Sequence, residues 1–197
     1  MANLVMDGVT LASKSGSDVT IQNTNVKFPA GHILQVKTTT KTDTTSANPV
    51  RSGSSGWLDI SGMSVNITPI STSSKILIQY SLQIGAGIVG TNGQSVLIKL
   101  VRDSTDVGIG DAGSGGQRVT NETMRFLGEQ QYSLVLAVAY FLDSPSTTSE
   151  ITYKLQWLKP YNYPADSLIY LNRSFNRSSP DDRGNTISTI VAMEVAG

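Results

Sequence analysis

Apolar and polar positions alternate with period two along most of this chain. Ile76, Ile78, Tyr80, Leu82 and Ile84 share one side of KILIQYSLQI, with mostly polar residues between them. Ile151, Tyr153, Leu155 and Trp157 repeat the rhythm through ITYKLQW, where Thr152, Lys154 and Gln156 face the other way. Ile187, Thr189, Val191, Met193 and Val195 carry it to the C-terminus. Successive side chains of a strand point to opposite faces, so each run predicts a half-buried strand whose named residues meet a core. The segment 132–142, YSLVLAVAYFL, is apolar on both faces and predicts a central strand buried on two sides. Its aromatic ends and the Asp143-Ser144-Pro145 stop argue against a helix.

Breakers punctuate these runs: Gly53 to Gly56, Thr68-Pro69, Gly85 to Gly87, Gly113 to Gly116, Pro145, Pro160, Pro164, Ser179-Pro180 and Gly184. Turn chemistry at that spacing between about ten short strands predicts an all-β, antiparallel sandwich or barrel. The nearest helix candidate, 121–128, is too short to matter. Residues 1–28 hold two weak β segments, VTLAS and DVTIQN, with few large side chains. They predict an arm whose apolar residues Leu4, Val5, Val9, Leu11, Val19 and Ile21 would dock elsewhere, ahead of a domain at 29–197. The Thr- and Ser-rich stretch 38–55 is expected to be an exposed loop.

Composition narrows the function. Charged residues are only 15% of the 197, and Val, Ile, Thr and Tyr outweigh Glu, Lys, Ala and Leu. Lys+Arg 15 against Asp+Glu 15 leaves no basic field for a phosphate backbone, so no nucleic-acid partner is expected. There is no cysteine, which removes disulfides, thiol nucleophiles and cysteine metal sites together. No apolar run reaches the ~20 residues that span a bilayer, and the first residues lack the pattern of a secretory signal, so membrane insertion is not expected.

Catalytic signatures are missing. The single His32 cannot build a histidine metal site, and no G-x-S-x-G elbow offers it a serine; a structural or solvent-facing role is expected. Gly108 to Gly113 matches G-x-G-x-x-G, but Ser114-Gly115-Gly116 follows where a dinucleotide site needs a helix N-terminus. Asp103 and Asp106 read as hairpin-turn residues, and Asp181 and Asp182 lie in a loop with its own arginines. Neither pair has the apolar surroundings that would raise one carboxyl for acid catalysis. No calcium-loop spacing occurs, and the four N-x-S/T sites at Asn66, Asn121, Asn172 and Asn176 follow from an Asn/Ser/Thr-rich composition. No enzyme activity, cofactor or metal is expected.

Four phrases, VKFPAGHILQV (26–36), ITPISTSSKILI (67–78), DSPSTTS (143–149) and ISTIVAMEVAG (187–197), resemble a module of marine tailed-phage structural proteins, found in tail fibres and related virion appendages. The likeness runs from about residue 18 to the end. It implies a jelly roll of the tumour-necrosis-factor or complement-globular-head kind, assembled as a threefold homotrimer on the virion surface. A short arm stands where a long fibre would carry a shaft, which favours a capsid decoration or cement protein bound to other virion proteins. The alternative is a tail-fibre or tail-tip protein that recognises host surface glycan or protein. Its candidate receptor-facing residues are Tyr161, Tyr163, Asn172, Arg173, Asn176, Arg177, Asp181, Asp182 and Arg183, with Trp57 more simply read as core. A cellular soluble ligand of the same fold is disfavoured by the missing signal and cysteines.

Overall fold

The computed structural model describes residues 2–21, 28–51, 56–86, 94–111, 117–123, 126, 132–160, 168–176 and 184–197; for Val9, Thr20 and Ile21 only the backbone is described. These residues form fourteen strands: β1 (Ala2–Met6), β2 (Val9–Ser15), β3 (Asp18–Ile21), β4 (Ile33–Lys41), β5 (Thr45–Ala47), β6 (Leu58–Ile67), β7 (Lys75–Ala86), β8 (Leu97–Arg102), β9 (Thr105–Val107), β10 (Asn121–Glu122), β11 (Val135–Asp143), β12 (Ile151–Leu158), β13 (Ile169–Leu171) and β14 (Ser188–Val195). Every pairing between these strands is antiparallel.

Strands β4 to β14 make a two-layer β-sandwich. In one sheet β7 is central: β14 and then β4 lie on one side, β11 on the other, and β13 with β5 continue past the end of β14. The second sheet runs β6-β12-β8, with β10 and β9 both paired to the free side of β8. Leaving aside the short β5 and β13 and counting β9 with β10 as one interrupted strand on the edge of β8, the first, eighth, third and sixth strands in chain order share a sheet, and the second, seventh, fourth and fifth share the other. That interleaving is the jelly roll.

The period-two pattern explains the core. Ile76, Ile78, Tyr80, Leu82 and Ile84 are all at most 1% exposed, and they pack with Ile151, Tyr153, Leu155 and Trp157 as one cluster. Met63, Val65 and Ile67 of β6 and Ile98 and Leu100 of β8 complete the facing layer. At one end a polar clamp joins the sheets. Asp143, at the end of β11, accepts 2.7 Å hydrogen bonds from Arg102 Nη1 and from the Tyr153 hydroxyl, and its other oxygen accepts from Ser144 N. Burial, with the bond to Asp143 adding to it, pushes the Tyr153 phenol well above its usual range, so it stays a donor.

Three expectations are corrected. Strand β14 has the opposite phase: Ser188, Ile190, Ala192 and Glu194 are buried, while Thr189, Val191, Met193 and Val195 are half-buried on the outer face and Ile187 is exposed. The inward polar pair is accommodated by specific partners. Ser188 Oγ donates to Asn172 Oδ1 and accepts from Gln83 N, and Glu194 accepts from Gln35 Nε2 and Ile70 N. Strand β11 lies at a sheet edge, paired to β7 among the described residues, with Leu136, Tyr140 and Leu142 exposed. Over its described residues, 38–51, the stretch 38–55 is largely ordered pairing rather than loop. Its first residues finish β4, Thr45–Ala47 is β5, and Pro49 is buried, because threonine suits a pleated surface that a neighbouring strand can pair. In 121–128, Asn121 and Glu122 are strand, paired with β8.

The first residues form a sheet of their own, β1-β2-β3, that shares no strand pairing with the sandwich among the described residues. Pattern reading missed β1. The signal was there: Asp7-Gly8 is a two-residue connection between Met6 and Val9, and both residues take positive φ (49° and 74°), as a type I′ hairpin turn requires.

Register gives the sandwich two distinct ends. At one, Gly31 N and Ala196 O, and Ala196 N and His32 O, bond at 2.8 Å, beside the connections 68–74 and 144–150. The arm joins the sandwich there. At the other, Ala86 of β7, Leu158 of β12 and Ile169 of β13 lie together. Gly85 serves this end: a Cβ on it would stand 2.3 Å from Arg173 O, so the 171–174 turn crosses β7 only where β7 has no side chain.

Candidate functional site

The outer faces of the two sheets differ in chemistry. On β6 and β12 most outward positions are polar and several are bonded to one another, while Leu97, Val101 and Leu158 of the same face are buried. Asp59 accepts from Lys154 Nζ at 2.9 Å and from Gln156 Nε2 at 2.7 Å, and Thr152 Oγ1 donates to Asn66 Oδ1. The Gln156 bond, then Lys154, holds the Asp59 carboxyl below its usual range against the opposing effect of burial. Trp57, expected in the core, is half-buried at this face with Lys99 Nζ 4.5 Å from its ring centroid, and Lys99 also pairs with Asp106 at 3.0 Å. A cation on the ring and a carboxylate on the cation leave this aromatic already engaged.

The outer face of β4-β14-β7-β11 is apolar in one row across all four strands and along β11, and mixed elsewhere. Directly paired residues share a face, and the registers align Val36, Met193, Leu77 and Leu142 in one row across all four strands. The next row is Thr38, Val191, Gln79 and Tyr140; the next is Thr40, Thr189, Ser81 and Val138, with Leu136 beyond, opposite Gln83. Val36 is 54% exposed, Leu136 55%, Tyr140 65% and Leu142 47%. These are cross-strand neighbours rather than scattered residues, and contiguous exposed apolar patches of this kind mark binding surfaces. The sequence carried the signal, since β11 is apolar on both faces and Val191, Met193 and Val195 alternate with small or polar residues.

Of the docking-arm residues, Leu4 is 62% exposed, Val5 50% and Val19 66%, and Leu11 is half-buried. The side chains of Val9 and Ile21 lie outside the described residues. Leu4 pairs with Ala12, and Ala2 with Lys14, which in turn pairs with Val19, so small and aliphatic side chains share one surface of the arm. Strands β1 and β3 are its two edges.

Among the receptor-facing candidates, Tyr161, Tyr163, Arg177, Asp181, Asp182 and Arg183 lie outside the described residues. Asn172, Arg173 and Asn176 sit at the end of the sandwich opposite the arm junction. Asn172 is not receptor-facing. It is 0% exposed with φ +65°, its Nδ2 donates to Lys41 O and Asp43 O at 2.9 Å each, and its Oδ1 accepts from Ser188 Oγ at 2.6 Å. It ties the end of β4 to β14 and belongs to the framework. Asn172→Ala is expected to cost about 2–4 kcal/mol, read from the urea midpoint, since three groups lose their partner and alanine must adopt a left-handed backbone. Arg173 lies half-buried over the Tyr170 ring at 4.4 Å, donating to Ser174 O and Phe175 O, and Tyr170 meets Phe175 edge-on at 5.8 Å. Asn176 Nδ2 donates to the Tyr132 hydroxyl.

Among the described residues no group of three or more His, Asp or Glu converges as metal ligands, and no helix is long and apolar enough to cross a membrane. His32 is exposed beside Phe28, at 6.0 Å between ring centroids. No protein-family model matches the chain, and no curated protein matches it. Among solved structures it is similar to infectious bursal disease virus, Gt strain, at 15% identity and TM-score 0.36, covering 94% of this chain and 42% of that one. It is similar also to the VP2 subviral particle of infectious bursal disease virus, at 17% identity and TM-score 0.34, covering 93% and 42%. The chain thus spans 42% of the length of these two relatives. At such scores the likeness assigns neither a family nor a function to this chain, which stands on its strand order and its surfaces.

Proposed function

We propose that this chain is a non-enzymatic structural protein of a tailed bacteriophage, a homotrimer on the virion surface that decorates the capsid and docks through its N-terminal arm. The difference between the two outer faces carries this conclusion. One sheet presents polar side chains bonded to one another, whereas the other presents exposed aliphatic and aromatic side chains on β4 and β11, joined by an apolar row, that a neighbouring copy would cover. Threefold assembly comes from the resemblance of the four quoted phrases to phage appendage modules. In the arm, exposed Leu4, Val5 and Val19 and the two edges of the β1-β2-β3 sheet suit strand addition onto another virion protein. Three arms on one trimer multiply a weak contact through effective concentration.

Deleting residues 1–28 tests the arm. The truncated chain is expected to have three times its own chain mass and to keep its strand signal by circular dichroism, yet fail to co-sediment with particles that lack the protein. A truncated chain that unfolds, or one that still binds particles, overturns the arm's role. Antibody-gold labelling of intact particles tests the location, with label over the whole head expected.

A second reading, a tail-tip protein contacting host glycan or protein, is favoured by one observation. The Tyr170, Arg173 and Phe175 cluster lies at the end opposite the arm junction, where it would face outward. Gold confined to the tail would select it.

A further inference from the structure

Register gives the β1-β2-β3 sheet two unlike faces. Ala2, Lys14 and Val19 form one cross-strand row and Leu4 with Ala12 the next, so these five residues share a face. Asn3 with Ser13, and Ser15 with Asp18, lie on the other face, which is polar. On the first face Ala2 and Ala12 are too small to fill the space between Leu4 and Val19. They leave an open hollow of about 300 Å³ that reaches Lys14. Leu4, Lys14 and Val19 are exposed. The charged residues of 1–21 are Asp7, Lys14 and Asp18. Asp7 sits in the turn between β1 and β2 and Asp18 on the polar face, so no carboxylate shares the face of Lys14 among the described residues.

We infer that this face takes an acidic segment of another virion protein, an extended stretch that lays an aliphatic or aromatic side chain in the hollow and sets an Asp or Glu against Lys14. The inference deepens the docking role proposed for the arm and rests on it. The charge selects the occupant. Arms of neighbouring copies packed face to face would bring their ammonium groups together with nothing to neutralise them. The rows on the outer face of β4-β14-β7-β11 hold no acid either, so the sandwich is no better a cover. A carboxylate from a different protein meets both needs, since the contact excludes water from the hollow and strengthens the ion pair beside it. The outer edges of β1 and β3 carry no strand among the described residues, so main-chain pairing can add to the contact.

Co-sedimentation of the full chain with particles that lack it tests this, using a series of substitutions at position 14. Lys14→Arg should bind as tightly as the unsubstituted chain. Lys14→Gln should weaken binding by about threefold and Lys14→Glu by about tenfold, because an exposed charge contributes modestly and a reversed one repels. Ala12→Phe fills the hollow and should also weaken binding by about tenfold. Asp18→Ser, on the polar face, should change nothing. Loss of arm structure would not spare arginine while grading glutamine and glutamate, so the order itself is the readout. Equal binding across the series overturns the inference, and so does tighter binding by Lys14→Glu, which would assign a basic partner. A lower oligomer mass for Lys14→Glu by light scattering would place the face between copies and overturn it too. If deleting residues 1–28 leaves binding intact, the docking role itself fails. If the deletion abolishes binding while the series changes nothing, only the acidic partner is lost.

Discussion

Replacing Asp143 by alanine is expected to lower the folding stability by about 3–5 kcal/mol, the scale of breaking a buried ion pair while leaving its partners in place. The carboxylate side chain is 9% exposed and serves three donors: Arg102 Nη1, the Tyr153 hydroxyl and Ser144 N. Removing it leaves a guanidinium only 24% exposed without its counter-charge and a fully buried phenol without an acceptor. The residues lie on β8, β11 and β12, so the clamp couples both layers. Tyr153→Phe removes one donor and leaves Asp143 with Arg102, and about 1 kcal/mol is expected from it. Urea unfolding followed by tryptophan fluorescence measures both. Equal losses from the two substitutions would mean that the Arg102 pair contributes nothing.

The paired substitution of Tyr140→Lys and Leu142→Lys is expected to turn the proposed trimer into a folded monomer. Both side chains point outward from an edge strand, so charging them leaves the core untouched. A buried aromatic anchor is worth about 2–4 kcal/mol to an interface, and two unpaired ammonium groups there would add repulsion, so association should weaken by at least about 100-fold. Light scattering at micromolar concentration gives the mass, and circular dichroism checks the fold. Lys154→Ala, on the polar sheet, is the control and should leave the trimer intact. A monomeric unsubstituted chain would overturn the homotrimer, and a doubly substituted chain that remains trimeric would move the interface off this face.

Strand identity was legible wherever an apolar residue stood at every second position. The cores of β7 and β12 read directly from the chain, because Ile, Tyr, Leu and Trp alternate there with polar residues and only one phase buries the apolar set. Strand β14 defeated the same rule, since both of its phases hold apolar residues. Its inward phase contains Ser188 and Glu194, which are buried only because Asn172, Gln35 and the Ile70 amide come from distant parts of the chain to meet them. Strand β11 was equivocal in another way. A strand apolar on both faces reads equally as a sheet centre or as an edge with one face unpartnered, and strand order decides between them.

By itself, then, the sequence determined an all-β antiparallel chain, most of its strands, the apolar faces of β7 and β12, and the lack of any recognisable catalytic motif. These follow from local chemistry: side-chain alternation, β-branched propensity and turn residues. The tertiary structure alone decided which strands are neighbours, which phase of β14 is inside, and that Asn172 is framework rather than surface. It also decided that Asp143, Arg102 and Tyr153 meet, and that Val36, Met193, Leu77 and Leu142 line up across four strands. Each of these joins residues far apart in the chain, and no local preference encodes a contact whose partners meet only when the two sheets close on one core.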